Sequence, residues 1–295
     1  MLKNASQKPD RKIPVTEAGA LLPFLLGNLK KASRNNVKSL LTHRQVFVDD
    51  VCVTHHDHNL LPGQTVLIKH HIIRSWSDKK MPDIVFEDRD MMVINKPAGL
   101  LSIACGTEKE RTAYHMLTDC VRENNPNNRV FIVHRLDRDT SGLMLFAKNE
   151  KMKRALQENW ADILLNRGYT AVVEGCPAAS KGTVTSWLKE TKTHLMYSSG
   201  IKGDGQQAVT HYSVVKSSGK YSILDIRIET GRKNQIRVHM KDIGHSIVGD
   251  RQYGTAKSSQ KRLFLHAHLL EFRHPETGAV LRFETGIPNA FMRIF

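Results

Sequence analysis

The stretch that decides the reading runs from Phe131 to Lys148, FIVHRLDRDTSGLMLFAK. It opens apolar (Phe131, Ile132, Val133), turns polar from His134 to Gly142, and becomes apolar again from Leu143 to Ala147. Two short β-type runs around a charged, glycine-terminated segment predict a loop held rigidly between strands. Such loops present functional groups, because the scaffold fixes where their side chains point. This one carries two carboxylates, Asp137 and Asp139, interleaved with Arg135 and Arg138. Taken alone, a loop of this kind is most often a solvated turn with ordinary ion pairs, so its chemistry needs support from the rest of the chain.

At 295 residues the chain has room for two domains and a sizeable core. Hydrophobic residues at 40% and charged residues at 25% place it with soluble globular proteins. No apolar run approaches the roughly 20 residues that span a bilayer. The N-terminal MLKNASQKPDRK lacks the apolar centre of a signal peptide, so a cytoplasmic protein without a membrane partner is expected. Lys and Arg outnumber Asp and Glu by 44 to 29, a net charge of +15, which favours polyanionic partners, nucleic acid before membrane surface. The four cysteines form no CxxC pair, which argues against a zinc site and against a disulfide framework. His55, His56, Asp57 and His58 are consecutive or nearly so, and such neighbours rarely converge on one ion; no metal is expected.

Taken in order, residues 1–12 read as a disordered arm, or an extended arm on RNA. Residues 13–71 form a first domain. Leu21, Leu22, Phe24, Leu25, Leu26 and Leu29 recur at helical spacing; Ser33 is placed to cap a second helix with Val37, Leu40 and Leu41 on its apolar face. Strands are predicted at 45–48, 51–54 and 65–69, with Asp49-Asp50 and Leu61-Pro62-Gly63 as turns. Lys30, Lys31, Arg34 and Lys38, with Arg44, gather about a helix N-terminus, which itself favours phosphate. Residues 72–82 read as a linker, and 83–295 as the second domain. There a strand ends in the turn Asn95-Lys96-Pro97-Ala98-Gly99, and helices are predicted over 112–121 and 150–165. Strands follow over 182–189, 208–215 and 222–229, and the polar stretch 190–207 reads as a long connection that orders on RNA. The segment from Thr230 to Met240 is a glycine turn entering a helix, which would aim Arg232 and Arg237 at one cleft. The class expected is α+β: a small helical module, then a mixed, mainly antiparallel sheet with flanking helices.

HRLDRDTSG fits HRLDxxTSG, the signature of the RluA-type RNA pseudouridine synthases, and the chain is similar to that family along most of residues 84–285. Val93 to Gly99 resembles its VxNKPAG element, and Arg167 to Gly175 its K-x-Y-x-A-x-V-x-G element with Arg167 in place of the usual Lys. Thr230 to His239 resembles TGRxHQIRVH, with Asn234 where His is commoner, and 245–254 resembles PIxGDxxYG. The first domain is similar in pattern to the RNA-binding module of small-subunit ribosomal protein S-four. The resemblance implies the pseudouridine synthase fold and Asp137 as the catalytic residue; Asp139 falls on a variable position and receives no role. It further implies that Arg237 pairs with Asp137, that Tyr169 packs on the uracil ring, and that Arg135 fills the stack vacated by an extruded uridine. Lys96 and Arg232, with Lys30, Lys31, Arg34 and Lys38 of the first domain, are expected to meet RNA.

Such an enzyme breaks the bond between ribose C1′ and uracil N1, turns the base and rejoins it through C5, with no cofactor. It needs an ionised carboxylate beside C1′, and a neighbouring guanidinium favours that form. The expected partner is RNA, ribosomal before transfer, acted on by a monomer. The competing readings are a non-catalytic RNA-binding or ribosome-assembly protein on the same scaffold, and a metal-dependent nuclease using the His-rich turn.

Overall fold

The computed structural model describes residues 10–29, 32–42, 45–49, 51–68, 81–106, 108, 110–123, 125–255 and 260–295. The chain divides into two compact units, Met1–Met81 and Pro82–Phe295.

In the first unit the order is β1 (Arg11–Pro14), β2 (Gly19–Ala20), α1 (Leu21–Asn28), α2 (Arg34–Thr42), β3 (Val46–Val48), β4 (Val51–Cys52), β5 (Asn59–Leu60) and β6 (Thr65–Ile68). A four-stranded sheet in the order β1-β6-β3-β4 and the pair β2-β5 enclose, with the helices, a core of Leu21, Leu25, Val37, Val46, Leu60 and Val66. Ser33 caps α2, its hydroxyl accepting from the Asn36 amide at 3.2 Å. The carbonyls of His58 and His56 accept from the first amides of α1, Leu21 and Leu22, so the His-rich turn serves as a backbone cap.

One boundary needs correcting. Arg11 and Lys12 were expected in a disordered arm, yet β1 pairs antiparallel with β6 from Arg11↔Ile68 to Pro14↔Thr65. Burial of Ile13 and Val15 holds this short strand against the sheet. The arm over 1–9, the cations Lys30, Lys31 and Arg44, and the linker over 72–80 lie outside the described residues. Arg34 and Lys38 are exposed on α2.

The second unit comprises β7 (Asp83–Glu87), β8 (Met91–Lys96), α3 (Ala113–Arg122), β9 (Phe131–Ile132), β10 (Ser141–Ala147), α4 (Glu150–Glu158), α5 (Trp160–Ile163), β11 (Leu164–Glu174), β12 (Lys181–Glu190), β13 (Met196–Ser199), β14 (Gln206–Ser217), β15 (Tyr221–Ile228), α6 (Gln235–Asp242), β16 (Leu265–Arg273), β17 (Val280–Glu284) and α7 (Asn289–Met292). Eleven strands make one sheet, with the path β13-β12-β14-β15-β11-β16-β10-β8-β7; β17 adds to β16 and β9 to β10. Its pairings are antiparallel except β10 with β16. The sheet is therefore mixed and mainly antiparallel, with helices packed against it.

β10 reads SGLMLFA and is buried at every position, as a central strand covered on both faces must be. Leu143 and Leu145 on one face join Met152 and Leu156 of α4, Phe272 of β16 and the half-buried Trp160. Each such side chain contributes about 1.5–3 kcal/mol by leaving water. Asn149 caps α4 by accepting from the Met152 amide at 2.8 Å. α4 stops at Glu158 and β11 begins at Leu164, so the single helix expected over 150–165 is two short helices and a strand start. The stretch 190–207 also differs from expectation. It contains β13, paired with β12 from Trp187↔Ser199 to Glu190↔Met196. Met196 is buried there and its amide donates to the Tyr253 hydroxyl at 2.9 Å, so the connection is a fixed hairpin.

Candidate active site

Asp137 is presented by the loop entering β10, and the turn after β8 holds that loop in place. The Gly99 amide donates to the Arg138 carbonyl at 2.9 Å. The Ser102 hydroxyl donates to the Leu136 carbonyl at 2.7 Å and accepts from the Leu136 amide at 3.2 Å. Lys96, at the end of β8, is wholly buried, and its ammonium donates to the carbonyls of Pro97 (3.1 Å), Leu100 (2.7 Å) and Arg138 (3.0 Å). Burial pushes the Lys96 pKa down to about 7 while the charges of Asp137 and Asp139 pull the other way; three carbonyl acceptors favour the protonated ammonium. The expectation that Lys96 meets RNA is corrected here. Its donors are spent on backbone, and its place is under the Asp137 loop.

On the far side of that loop, Gly142 sits between β8 and β16, paired with Lys96 and Ala267. Its φ of +119° and the approach of Ala267, whose carbonyl oxygen would lie 2.2 Å from an added Cβ, leave room for glycine alone. Beside it runs a buried chain of hydrogen bonds. Arg262 Nη2 donates to Ser141 Oγ (2.9 Å), Ser141 Oγ meets His266 Nδ1 (2.8 Å), and His266 Nε2 meets Thr285 Oγ1 (2.9 Å). Burial, then the Arg262 charge, lowers the His266 pKa to about 4, keeping the ring neutral. His134 of HRLD is likewise structural: Nε2 accepts from the Leu145 amide at 3.1 Å, the ring stacks on Trp160, and burial takes its pKa to about 3.

The opposite wall comes from the turn before α6. Asn234, in the left-handed conformation with φ 54°, turns the chain into the helix. Gln235 fixes the turn. Its Oε1 accepts from Thr230 Oγ1 (2.8 Å) and the Arg232 amide (3.1 Å), and its Nε2 donates to the Val209 carbonyl (2.9 Å). Arg237, one turn into α6, projects to Asp137, with Nη1 3.4 Å from Oδ2. Its stronger partner is Asp250, whose side chain is fully buried: Nε donates to Oδ2 at 2.7 Å and Nη2 to Oδ1 at 2.8 Å. Burial opposes the Arg237 charge, but the hydrogen bonds and charge of Asp250, then the charge of Asp137, carry its pKa above the usual value. Burial likewise opposes the Asp250 charge, and Arg237 more than offsets it, holding that carboxyl below its usual range. Asp250 received no role in the sequence, although it is the Asp of the stretch that resembles PIxGDxxYG.

One cleft brings Arg135, Asp137, Tyr169, Arg232 and Arg237 together, with Arg167 and Leu265 also on its walls. Arg135 is exposed, Asp137 half-buried and Tyr169 buried. Burial raises the Tyr169 phenol pKa, so at neutral pH it is an uncharged aromatic face; Arg167 acts against that rise and Asp137 with it. Arg232 donates from Nε to the Gln207 carbonyl at 3.0 Å. The arrangement offers a carboxylate partly open to a ligand, a flat ring beside it and a rim of guanidinium groups. It can hold a flat base with an attached sugar and approach that sugar with an anion. Among the described residues no three His, Cys, Asp or Glu gather as metal ligands.

Residues 90–242 match the sequence family described as RNA pseudouridylate synthase. The chain is 35% identical over 227 residues to the ribosomal large subunit pseudouridine synthase D of Zymomonas mobilis, covering 72% of this chain and 71% of that protein. It is 37% identical over 214 residues to the tRNA pseudouridine synthase C of Haemophilus ducreyi, covering 66% and 86%. Among solved structures, human RNA pseudouridylate synthase domain containing 4 shares the fold at a TM-score of 0.59 and 24% identity, covering 71% of this chain and 90% of that one. The family match marks an enzyme that acts on RNA. The chain belongs to the RNA pseudouridylate synthase family: it is an RNA pseudouridine synthase, an isomerase. Family membership does not favour the non-catalytic alternative.

Proposed function

We propose that this enzyme isomerises uridine in structured RNA with Asp137 as its catalytic carboxylate, large-subunit ribosomal RNA being the substrate and tRNA the second candidate. The observation that carries the reading is the half-open Asp137 carboxylate, 3.4 Å from the Arg237 guanidinium in a cleft shared with Tyr169. Each route to pseudouridine needs an ionised carboxylate beside the bond between sugar and base, whether it bonds to C1′, adds to C6 of the base or takes the C2′ proton. Arg237 keeps that charge in place without cancelling it, because Asp250 already holds most of the guanidinium. Tyr169 supplies the face on which the detached base stays and turns, so that rejoining outruns escape. A paired uridine must leave its stack to enter, at a cost of a few kcal/mol. Arg135, exposed at the rim, takes the vacated place, and Arg232 meets phosphate.

Residues 13–71 serve as an S-four-type RNA-binding module, with Arg34 and Lys38 of α2 on phosphates. The enzyme works in the cytoplasm as a monomer. Two relatives support the substrate reading, one named for the large ribosomal subunit and one for tRNA. The experiment is to incubate the protein with unmodified transcripts of both kinds and map the new pseudouridines. Modification of ribosomal transcripts by the wild type, absent with Asp137→Asn, is the expected result. Modification of tRNA alone would move the substrate, and equal yields from the two proteins would remove Asp137 from the reaction.

A further inference from the structure

Four arginines line the cleft, and they differ in what else they hold. Arg237 is committed to Asp250, Arg232 donates to a backbone carbonyl, and Arg135 is exposed at the rim. Arg167 is half-buried, and among the described residues no hydrogen bond or ion pair involves its side chain; its Nε is buried with no partner. It stands two residues before Tyr169 on β11, so both side chains reach the same face of the strand and the same cleft. Its other side is set by Gly231, where an added Cβ would come within 2.6 Å of Nη1. Gly231 thus leaves space for the guanidinium beside the cleft. Its charge is felt at both neighbours, lowering the pKa of His134 and opposing the rise at Tyr169.

A half-buried cation without a carboxylate is costly unless something anionic arrives. We propose that Arg167 is a catalytic residue that donates hydrogen bonds to the uracil ring as it leaves the sugar. This rests on the Asp137-centred reading and assigns the other half of the same step. When the C1′–N1 bond breaks, its electron pair stays on the base. The product is a uracilate whose negative charge is shared by N1 and the two carbonyl oxygens. The sugar is balanced at the Asp137 carboxylate, by a bond to C1′ or by transfer of the C2′ proton. After the base turns, C5 bonds to C1′ as the Asp137–C1′ bond breaks or Asp137 returns the proton to C2′; the C5 hydrogen then leaves as a proton and N1 gains one, so nothing is oxidised or lost overall. Tyr169 offers that anion only a neutral ring, and Arg237 already faces two carboxylates. Arg167 is the cation with donors to spare, and a donor placed where charge develops acts chiefly on rate.

The test is single turnover on a pool of unmodified large-subunit ribosomal RNA and tRNA transcripts, prepared once with uridine and once with 5-fluorouridine. Fluorine withdraws charge, so the detached base needs less help; because C5 then carries no hydrogen to lose, the fluorinated reaction is read as breakage of the C1′–N1 bond, by loss of the 5-fluorouridine nucleoside from digests, and not as pseudouridine. Arg167→Met is expected to slow the uridine reaction on the order of 10²-fold, to leave RNA affinity within about threefold, and to slow the fluorinated reaction less. Arg167→Lys keeps the charge and recovers part of the rate. Gly231→Ala leaves the charge but displaces it; it slows the wild type and adds little to Arg167→Met. If Arg167→Met fails to fold, Gly231→Ala alone carries the test by the same comparison of the two RNAs. Equal slowing on both RNAs, or a loss seen only in affinity, would overturn the assignment. Asp137→Asn runs alongside. An inactive Asp137→Asn beside a fully active Arg167→Met overturns the Arg167 role alone, whereas an active Asp137→Asn overturns the reading beneath it.

Discussion

Two carboxylates share the Arg237 guanidinium, and replacing each by its amide should have opposite consequences. Asp250 is fully buried and takes two hydrogen bonds from Arg237, at 2.7 and 2.8 Å, and two more from the amides of Gln252 and Tyr253, at 2.9 and 3.0 Å. Asp250→Asn leaves the guanidinium, with 11% of its side chain exposed, without its main counter-charge. Breaking a buried pair from one side costs about 3–5 kcal/mol. At roughly 2–4 °C per kcal/mol for a unit of this size, the melting temperature falls by about 6–20 °C. Asp137 has 35% of its side chain exposed and one contact with Arg237, at 3.4 Å. A partly solvated pair of this kind contributes about 0–1 kcal/mol, so Asp137→Asn melts within about 4 °C of the wild type. Turnover reverses the order, with Asp137→Asn inactive though folded and Asp250→Asn retaining measurable activity at temperatures where it is folded. Thermal unfolding and single-turnover assays on the same preparations decide it. A large stability loss from Asp137→Asn, or none from Asp250→Asn, would refute the division of labour drawn from the geometry.

Lys96→Met removes the donor shared by the carbonyls of Pro97, Leu100 and Arg138. It should cost on the order of 2 kcal/mol and slow turnover by loosening the Asp137 loop, with RNA affinity unchanged; undiminished turnover would contradict that placement. Gly142→Ala should cost about 3 kcal/mol or more, read in a thermal melt, since the new methyl meets the Ala267 carbonyl at a positive φ. His134 and His266, held neutral with pKa values near 3 and 4, make stability depend on acid. Their folded pKa values lie below the unfolded value, so the contribution is full above about pH 6.5 and shrinks as pH falls toward 4. At pH 5 the loss is about 2 kcal/mol for each, and denaturant midpoints at pH 7 and 5 should show it, less so in His266→Gln.

Much of this was legible because local chemistry and tertiary need agree. The continuous apolar run after Gly142 became the central strand, Ser33 became a cap, and the glycine turn at Gly231 led into a helix carrying Arg237. What stayed hidden depends on neighbours distant in sequence. β1 is four residues, two of them charged and one a proline, and only its pairing with β6 makes it a strand. β13 lies in a polar stretch and is held by Tyr253 from another segment. A lysine after an apolar strand reads as solvated, and nothing local says that three carbonyls wait for Lys96 inside. The link from Arg262 through Ser141 to His266 joins residues over a hundred positions apart, beyond any periodicity.

The central claim, that one carboxylate at position 137 performs the isomerisation, is tested most directly in cells whose only copy of this gene carries Asp137→Asn. Pseudouridines are mapped across their ribosomal and transfer RNA and compared with cells carrying the wild-type gene. The account predicts that a defined set of positions reverts to uridine while the variant protein accumulates, folded, at normal levels. Retention of every pseudouridine by cells that carry the variant and lose positions only when the gene is deleted would contradict it.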